Sequence, residues 1–225
     1  MLKNNPMNTF TEENYLKAIY KLSEVNKNGA STNAIAEKLS TKAGTVTDML
    51  KKLSEKKLIN YQKYQGVSLT ESGKKVAVDI IRKHRLWEFF LVDKLEFRWD
   101  EIHNIAEELE HINSRELVDR LEKFLDYPKF DPHGDPIPDK NGKFHYQKSQ
   151  MLSEILAGQS VVMTGVIDHS PSFLQYLDRM KLGLGCRIEI REIVAFDRSM
   201  SIFVNGKENV HISSEVTKNV LVSEK

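Results

Sequence analysis

The chain has 225 residues, 40% of them apolar and 29% charged, with 33 basic against 32 acidic side chains. That length suits one large domain or two to three small ones, and the apolar share excludes a disordered chain. No run approaches the roughly 18 apolar residues of a membrane span, Met1 to Asn8 lacks the apolar core of a secretory signal, and the single cysteine, Cys186, excludes a disulfide framework or a multi-cysteine zinc site. The expected setting is the reducing cytoplasm, with no membrane partner.

Thr9 followed by Glu12 has the spacing of a capping box, and Tyr15, Ile19 and Leu22 then recur at helical intervals to Leu22 or Val25, with Asn28-Gly29 ending the helix. A second helix is predicted over Thr32–Leu39 and a third over Ala43–Lys57, joined only by Ser40-Thr41-Lys42, the short link of a helix-turn-helix. Leu58–Lys63 and Val67–Leu69 are strand-like around a Tyr64-Gln65-Gly66 turn, which completes a winged-helix order. Thr70 and Glu71 cap a long helix to about Lys94. Trp99-Asp100 opens another to about Ile112, and Ser114 caps one to about Asp126. Residues 127–149 gather Pro128, Pro132, Pro136 and Pro138 with Gly134 and Gly142, the composition of a non-regular tether. A short helix over Met151–Ala157 precedes strands at 161–166, 187–193 and 201–204 and a helix over Phe173–Met180, a pattern that suggests a small barrel.

Charge is unevenly spread. Residues 1–85 carry 16 basic and 8 acidic groups, whereas residues 86–150 carry 9 and 15. A basic head before an acidic middle suits a polyanion-binding module joined to one that handles cations. On the third helix the outer N-terminal face offers Lys42, Thr45 and Asp48, then Lys51 and Lys52; Gly44 and Thr47 complete the candidate DNA-facing set, with Lys63 on the wing. In the acidic middle, His103, Glu107, Glu110 and His111 fall on one stripe of the predicted helix, and His84 and Glu88 form an i, i+4 pair on the helix before it. Imidazoles and carboxylates at that density suit a divalent first-row cation. His133, Asp168 and His169 are, taken singly, ordinary loop residues, and Cys186 is a small residue entering a strand. No catalytic signature is present, so an enzyme is not expected.

These residues resemble the metal-dependent bacterial repressors typified by the diphtheria toxin repressor and the manganese transport regulator. The resemblance covers nearly the whole chain. It rests on Asn14–Tyr20, Ile35–Leu39, Val67–Gly73, Arg82-Lys83-His84-Arg85-Leu86, the Glu-x-x-Glu-His of Glu107 to His111, and Gly134-Asp135-Pro136-Ile137-Pro138. It implies a mainly α fold with small β parts: a winged helix-turn-helix over 1–74, a helical metal-binding and dimerisation domain with its Pro-rich tether over 75–149, and an SH3-like FeoA-type domain over 150–225. It further implies a homodimer that binds a palindromic operator, represses metal-homeostasis genes and uses no organic cofactor.

Carried over by position, the resemblance gives a primary metal site of Glu107, Glu110 and His111 with a ligand from Asn14. A second site draws on His84, Glu88 and His103, with His133, Asp131 nearby, and Asp168 or His169 as further candidates. Asn14 stands where relatives carry a thioether or a carboxylate, and Lys17 where the short manganese regulators carry a second carboxylate. An all-oxygen-and-imidazole donor set leans towards Mn²⁺, with Fe²⁺ as the alternative co-repressor and Zn²⁺ or Co²⁺ able to bind in vitro. The rivals are a winged-helix regulator that senses an organic ligand or redox state, a metal-dependent hydrolase, and a metal buffer with no DNA role.

Overall fold

Apolar periodicity and capping chemistry set the first elements. The computed structural model describes residues 8–25, 29–62 and 65–224; Lys63, Tyr64 and Asn28 of the expected wing and helix end lie outside them. Helix α1 (Phe10–Val25) starts on the reciprocal Thr9–Glu12 box, with Thr9 N 2.9 Å from Glu12 Oε2 and Glu12 N 3.3 Å from Thr9 Oγ1. Ser31 caps α2 (Thr32–Lys38), its Oγ accepting the Ala34 amide at 3.1 Å. Ser40 at φ 49° turns the chain into α3 (Ala43–Glu55). Strands β1 (Ile59–Gln62) and β2 (Gln65–Leu69) pair antiparallel, and Ala30 bridges Val67 on the far side. Thr70 Oγ1 donates to the Lys57 carbonyl at 2.8 Å and accepts the Gly73 amide at 3.1 Å, which starts α4 (Glu71–Leu95).

Two further helices follow, α5 (His103–Leu109) and α6 (Arg115–Phe124). The helix expected from Trp99 to Ile112 is shorter at both ends. Asp100 does not cap it, because its carboxylate takes Arg98 Nε at 2.9 Å and Gln175 Nε2 at 2.7 Å. At the other end Glu110 and His111 lie in a turn just past the last helical residue, so the single-stripe expectation is corrected: the four side chains do not share one regular helix.

The C-terminal part is a six-stranded antiparallel sheet in the order β3-β8-β4-β5-β6-β7. Its strands are β3 (Gln150–Met151), β4 (Ser160–Val166), β5 (Arg187–Ile193), β6 (Met200–Val204), β7 (Glu208–Ile212) and β8 (Val220–Glu224). Helices α7 (Pro171–Arg179) and α8 (Ser214–Asn219) lie between strands. The helix expected at Met151–Ala157 is replaced by β3 and a single 3-10 turn, Leu152–Glu154, because Gln150 and Met151 pair with Val222 and Leu221 of β8, a strand the sequence reading missed. Register shifts at Met163/Gly165 and Ile190/Glu192 mark bulges, the device by which a sheet bends round one core. That core is built of Leu152, Met163, Leu174, Leu177, Ile188, Ile202 and Val220, with Cys186 buried in it.

Contacts divide the chain into two units. One comprises residues 1–84, 108–119 and 138–143, with Leu16, Ile19, Ile35, Leu50 and Leu53 fully buried at its centre. The other comprises 85–107, 120–137 and 144–225. In the second unit the tether is ordered by its own contacts: Gly134, at φ +91°, packs so closely on β4 that a Cβ would lie 2.2 Å from the Thr164 carbonyl oxygen. The His133 carbonyl accepts the Val166 amide at 3.0 Å beside it. No helix among the described residues is long and apolar enough to cross a membrane. Gly134→Ala should therefore unseat residues 131–135 from β4 and cost about 2 kcal/mol or more in urea denaturation; a change under ~0.5 kcal/mol would show the contact to be dispensable.

Candidate metal centre

In the first unit, three elements bring carboxylates and imidazoles together out of water. Glu110 is fully buried, and both its oxygens are engaged: Oε1 lies 2.5 Å from Lys17 Nζ of α1 and Oε2 lies 2.6 Å from His84 Nδ1 of α4. Next in sequence, His111 Nδ1 lies 2.7 Å from Glu13 Oε2, and the Phe10 ring stacks on the imidazole at 4.6 Å. Asn14 Oδ1, one residue on from Glu13, is buried and has no hydrogen-bond partner among the described residues. A buried acceptor of that kind costs about 1–3 kcal/mol unless a cation or donor meets it, so the oxygen and nitrogen donors here fit a divalent ion.

The second unit holds a tighter cluster. Glu88 of α4, Asp131 and His133 are buried, and one ligand atom of each lies within 4.8 Å of the others. Asp131 shapes the loop, its Oδ1 accepting the amides of His133 at 2.8 Å and Asp135 at 3.0 Å. Arg85 pins the far side, donating to Asp135 Oδ2 at 2.7 Å and the Pro136 carbonyl at 2.6 Å. His133 Nε2 lies 2.9 Å from the Trp99 carbonyl, so it carries the proton and donates. That leaves Nδ1, buried without a hydrogen-bond partner and 3.8 Å from Glu88 Oε2. A ring held through one N–H to a backbone carbonyl, with the other nitrogen turned to carboxylates, is the arrangement a metal-ligating histidine takes.

Charge crowding in this cluster is visible in its proton affinities. Burial, reinforced by Glu88 and Asp135, lifts the Asp131 carboxyl from 3.8 to about 7. For His133 burial works the other way, yet the carboxylates of Glu88 and Asp131 raise it from 6.5 to about 9. His169, stacked on His133 at 4.5 Å, is lowered by burial and by its charged neighbour. In the absence of a metal, protons partly offset the negative charge.

At the other end of the molecule's chemistry, α3 exposes Lys42, Gly44, Thr45, Asp48 and Lys51, a polar face above the buried Val46, Leu50 and Leu53. Lys51 pairs with Asp48 at 3.2 Å, and Thr47 Oγ1 donates to the Ala43 carbonyl at 3.0 Å.

Three family models match successive parts of the chain: the iron dependent repressor N-terminal DNA binding domain over 7–67, the iron dependent repressor metal binding and dimerisation domain over 70–139, and the FeoA domain over 150–224. The transcriptional regulator MntR of Oceanobacillus iheyensis is 35% identical over 125 residues, covering 56% of this chain and 84% of that protein. The iron-dependent repressor IdeR of Mycobacterium tuberculosis is 29% identical over 222 residues, 94% of this chain and 96% of that one. Among solved structures, a manganese-dependent transcriptional repressor in complex with manganese superposes with a TM-score of 0.85 at 32% identity over 94% of this chain and 99% of that one. The manganese regulator SloR gives 0.72 at 36% identity, over 95% and 98%. The chain belongs to the metal-dependent transcriptional repressors of the diphtheria toxin repressor and MntR family.

As a member of that family the protein is a divalent-metal-dependent transcriptional repressor rather than an enzyme, with a winged helix-turn-helix, a dimerisation domain and an SH3-like FeoA domain. Of the sequence-derived ligand candidates in this repressor, Asn14, His84, Glu110 and His111 belong to the first unit. Glu88, His103, Glu107, Asp131, His133, Asp168 and His169 belong to the second. There, half-exposed His103 lies 3.5 Å from Glu88 and 3.7 Å from Glu107. Asp168 spends both oxygens on Ser170 at the head of α7, at 2.8 and 3.0 Å. Lys52, expected on the DNA face, has its ammonium 3.1 Å from buried Glu12. The sequence reading gives Glu12 only a capping role and Glu13 none; the acidic doublet in the first turn of α1 was the available signal.

Two outcomes follow. Because Asp131 and His133 bind protons more tightly folded than unfolded, their contribution to the metal-free protein is complete at low pH. It is lost as pH rises from about 4 to 7 for Asp131 and from 6.5 to about 9 for His133. Thermal melts in chelator should show that decline, and excess metal should reverse its direction; a metal-free profile flat from pH 5 to 9 would contradict the clustering. Lys17→Met, which leaves fully buried Glu110 short of a cation, should destabilise the metal-free protein by about 3 kcal/mol in urea.

Proposed function

We propose that the repressor answers to Mn²⁺ as co-repressor and closes a palindromic operator upstream of metal-homeostasis genes in the cytoplasm. The observation that carries this reading is the buried Glu88–Asp131–His133 cluster, whose donors are oxygen and imidazole nitrogen only. The one cysteine lies in the sheet core, its thiol pushed up by burial, so its sulfur is not among the donors gathered at either constellation. Hard and borderline donors favour Mn²⁺ and Fe²⁺ over ions that select thiolate. Fe²⁺ is kept as the second reading because the whole-length relatives include iron-dependent repressors.

A bound ion would supply two positive charges and a directional link among these donors. The chain's own residues do the rest. Glu110, His111 and Asn14, with His84 behind Glu110, form one candidate ligand group. Glu88, Asp131 and His133 form the other, with His103, Glu107, Asp168 and His169 as outer candidates. Arg85 and Asp135 hold the 131–135 loop in shape, and Trp99 fixes the His133 tautomer. The exposed Lys42, Gly44, Thr45, Asp48 and Lys51 at α3, with half-buried Thr47, face the major groove; Lys63, the expected DNA contact from the wing, lies outside the described residues. The division into 1–74, 75–149 and 150–225 is part of the same proposal.

Operator binding measured by fluorescence anisotropy, in chelator and then with Mn²⁺, anaerobic Fe²⁺ or Zn²⁺, tests it. Mn²⁺ should raise affinity about 5–150-fold, the range of a 1–3 kcal/mol coupling. Glu110→Ala or His111→Ala should erase that gain while the dimer persists in size-exclusion chromatography. Equal affinity in chelator and in saturating Mn²⁺ would overturn the metal switch, and a larger gain with Fe²⁺ would transfer the role to iron.

A further inference from the structure

The first turn of α1 carries two adjacent buried carboxylates that face different neighbours. Successive helical positions are about 100° apart, so Glu12 and Glu13 cannot share a partner. Glu13 is held by His111 at 2.7 Å, and the Phe10 ring covers that imidazole. Glu12, fully buried, grips the C-terminal end of α3: Oε1 lies 3.1 Å from Lys52 Nζ in its last turn and Oε2 lies 2.7 Å from Lys56 Nζ at its cap. The same carboxylate closes the Thr9 capping box, so the clamp is fixed to the start of α1 as well. Oε2 takes two hydrogen bonds, from the Thr9 amide and from Lys56, and Oε1 meets half-exposed Lys52 as an ion pair alone; a fully buried carboxylate held this way is a stiffer joint than an exposed surface pair.

We infer that Glu12 is the positioning residue that couples the candidate metal ligands to the recognition helix, passing the restraint on α1 at Glu13–His111 across to α3 through Lys52 and Lys56. This rests on the metal-switch reading above. Metal that fixes His111 and Glu110 fixes the α1 end, and Glu12 then holds the angle of α3. Without the clamp, α1 can be ordered while α3 remains free to shift on its hydrophobic seat.

The test separates coupling from structure. Glu12→Gln keeps the capping geometry, since Gln serves in the same box, but removes the charge that binds two ammonium groups. Mn²⁺ affinity of the variant is measured without DNA by isothermal titration, and operator affinity by anisotropy in chelator and in saturating Mn²⁺. The inference predicts unchanged Mn²⁺ affinity without DNA, unchanged operator affinity in chelator, and a loss of about tenfold in the Mn²⁺ state. Linkage then requires metal affinity on operator-bound protein to fall by the same factor. An Mn²⁺ enhancement kept within twofold of wild type overturns the inference, as does an equal loss in both states, which would mark Glu12 as a structural or direct electrostatic contributor. Lys56→Gln reads the joint from its other side if Glu12→Gln does not fold. It should lower the enhancement likewise, and a uniform loss would again count against the clamp. Wild type that shows no Mn²⁺ enhancement at all points instead to failure of the underlying switch.

Discussion

A carboxylate removed from water must be matched by positive charge, and most of this protein's middle section is organised by that requirement. Glu110 is matched by Lys17 and hydrogen-bonded to His84, Glu13 is hydrogen-bonded to His111, and Glu12 is matched by Lys52 and Lys56. Glu88, Asp131 and Asp135 share Arg85 and His133 and remain crowded enough that Asp131 is lifted to about 7. Burying such groups costs several kcal/mol each unless paired. The pairs that satisfy them join residues far apart in sequence, Glu13 to His111 and Glu12 to Lys56 among them. The same contacts that stabilise the fold therefore define where a cation would act.

The two constellations meet the requirement differently. In the first unit Glu110 already has a covalently attached cation in Lys17, and Asn14 contributes a neutral oxygen in place of a charged donor. In the second, Arg85 supplies a fixed cation and the titratable His133 shares the rest of the matching, so charge there varies with pH. His133 shows the distinction most clearly: one nitrogen is fixed to the Trp99 carbonyl and the other faces Glu88 without a hydrogen bond. The donors gathered at both places among the described residues are oxygen and nitrogen, which is the chemical basis for the manganese reading proposed above.

Local chemistry was legible in the sequence wherever neighbouring residues determine structure. The Thr9 box, the Ser40 turn, the Thr70 cap and the strand at 187–193 all follow from capping, turn and alternation rules, and they appear where those rules put them. Elements fixed by distant partners were not legible. Strands β7 and β8 and helix α8 are short and carry polar residues, and β3 exists only because β8 lies beside it. The helix bearing His103 ends before Glu110, because that residue's geometry answers to Lys17 and His84 rather than to helical periodicity. For the candidate site, the spacing of Glu107, Glu110 and His111 singled out residues that the structure divides between its two units, whereas the hydrogen bonds of Glu12 to Lys56, Arg85 to Asp135 and Glu13 to His111 span 44 to 98 residues.

The central claim is that a divalent ion takes the place of protons among Glu88, Asp131 and His133. Crystals grown with Mn²⁺ and measured on both sides of the manganese absorption edge test it most directly. The account predicts an anomalous peak within coordination distance of a Glu88 oxygen, an Asp131 oxygen and His133 Nδ1. A fully loaded crystal with no peak there, and His133 Nδ1 still without a ligand, would contradict it.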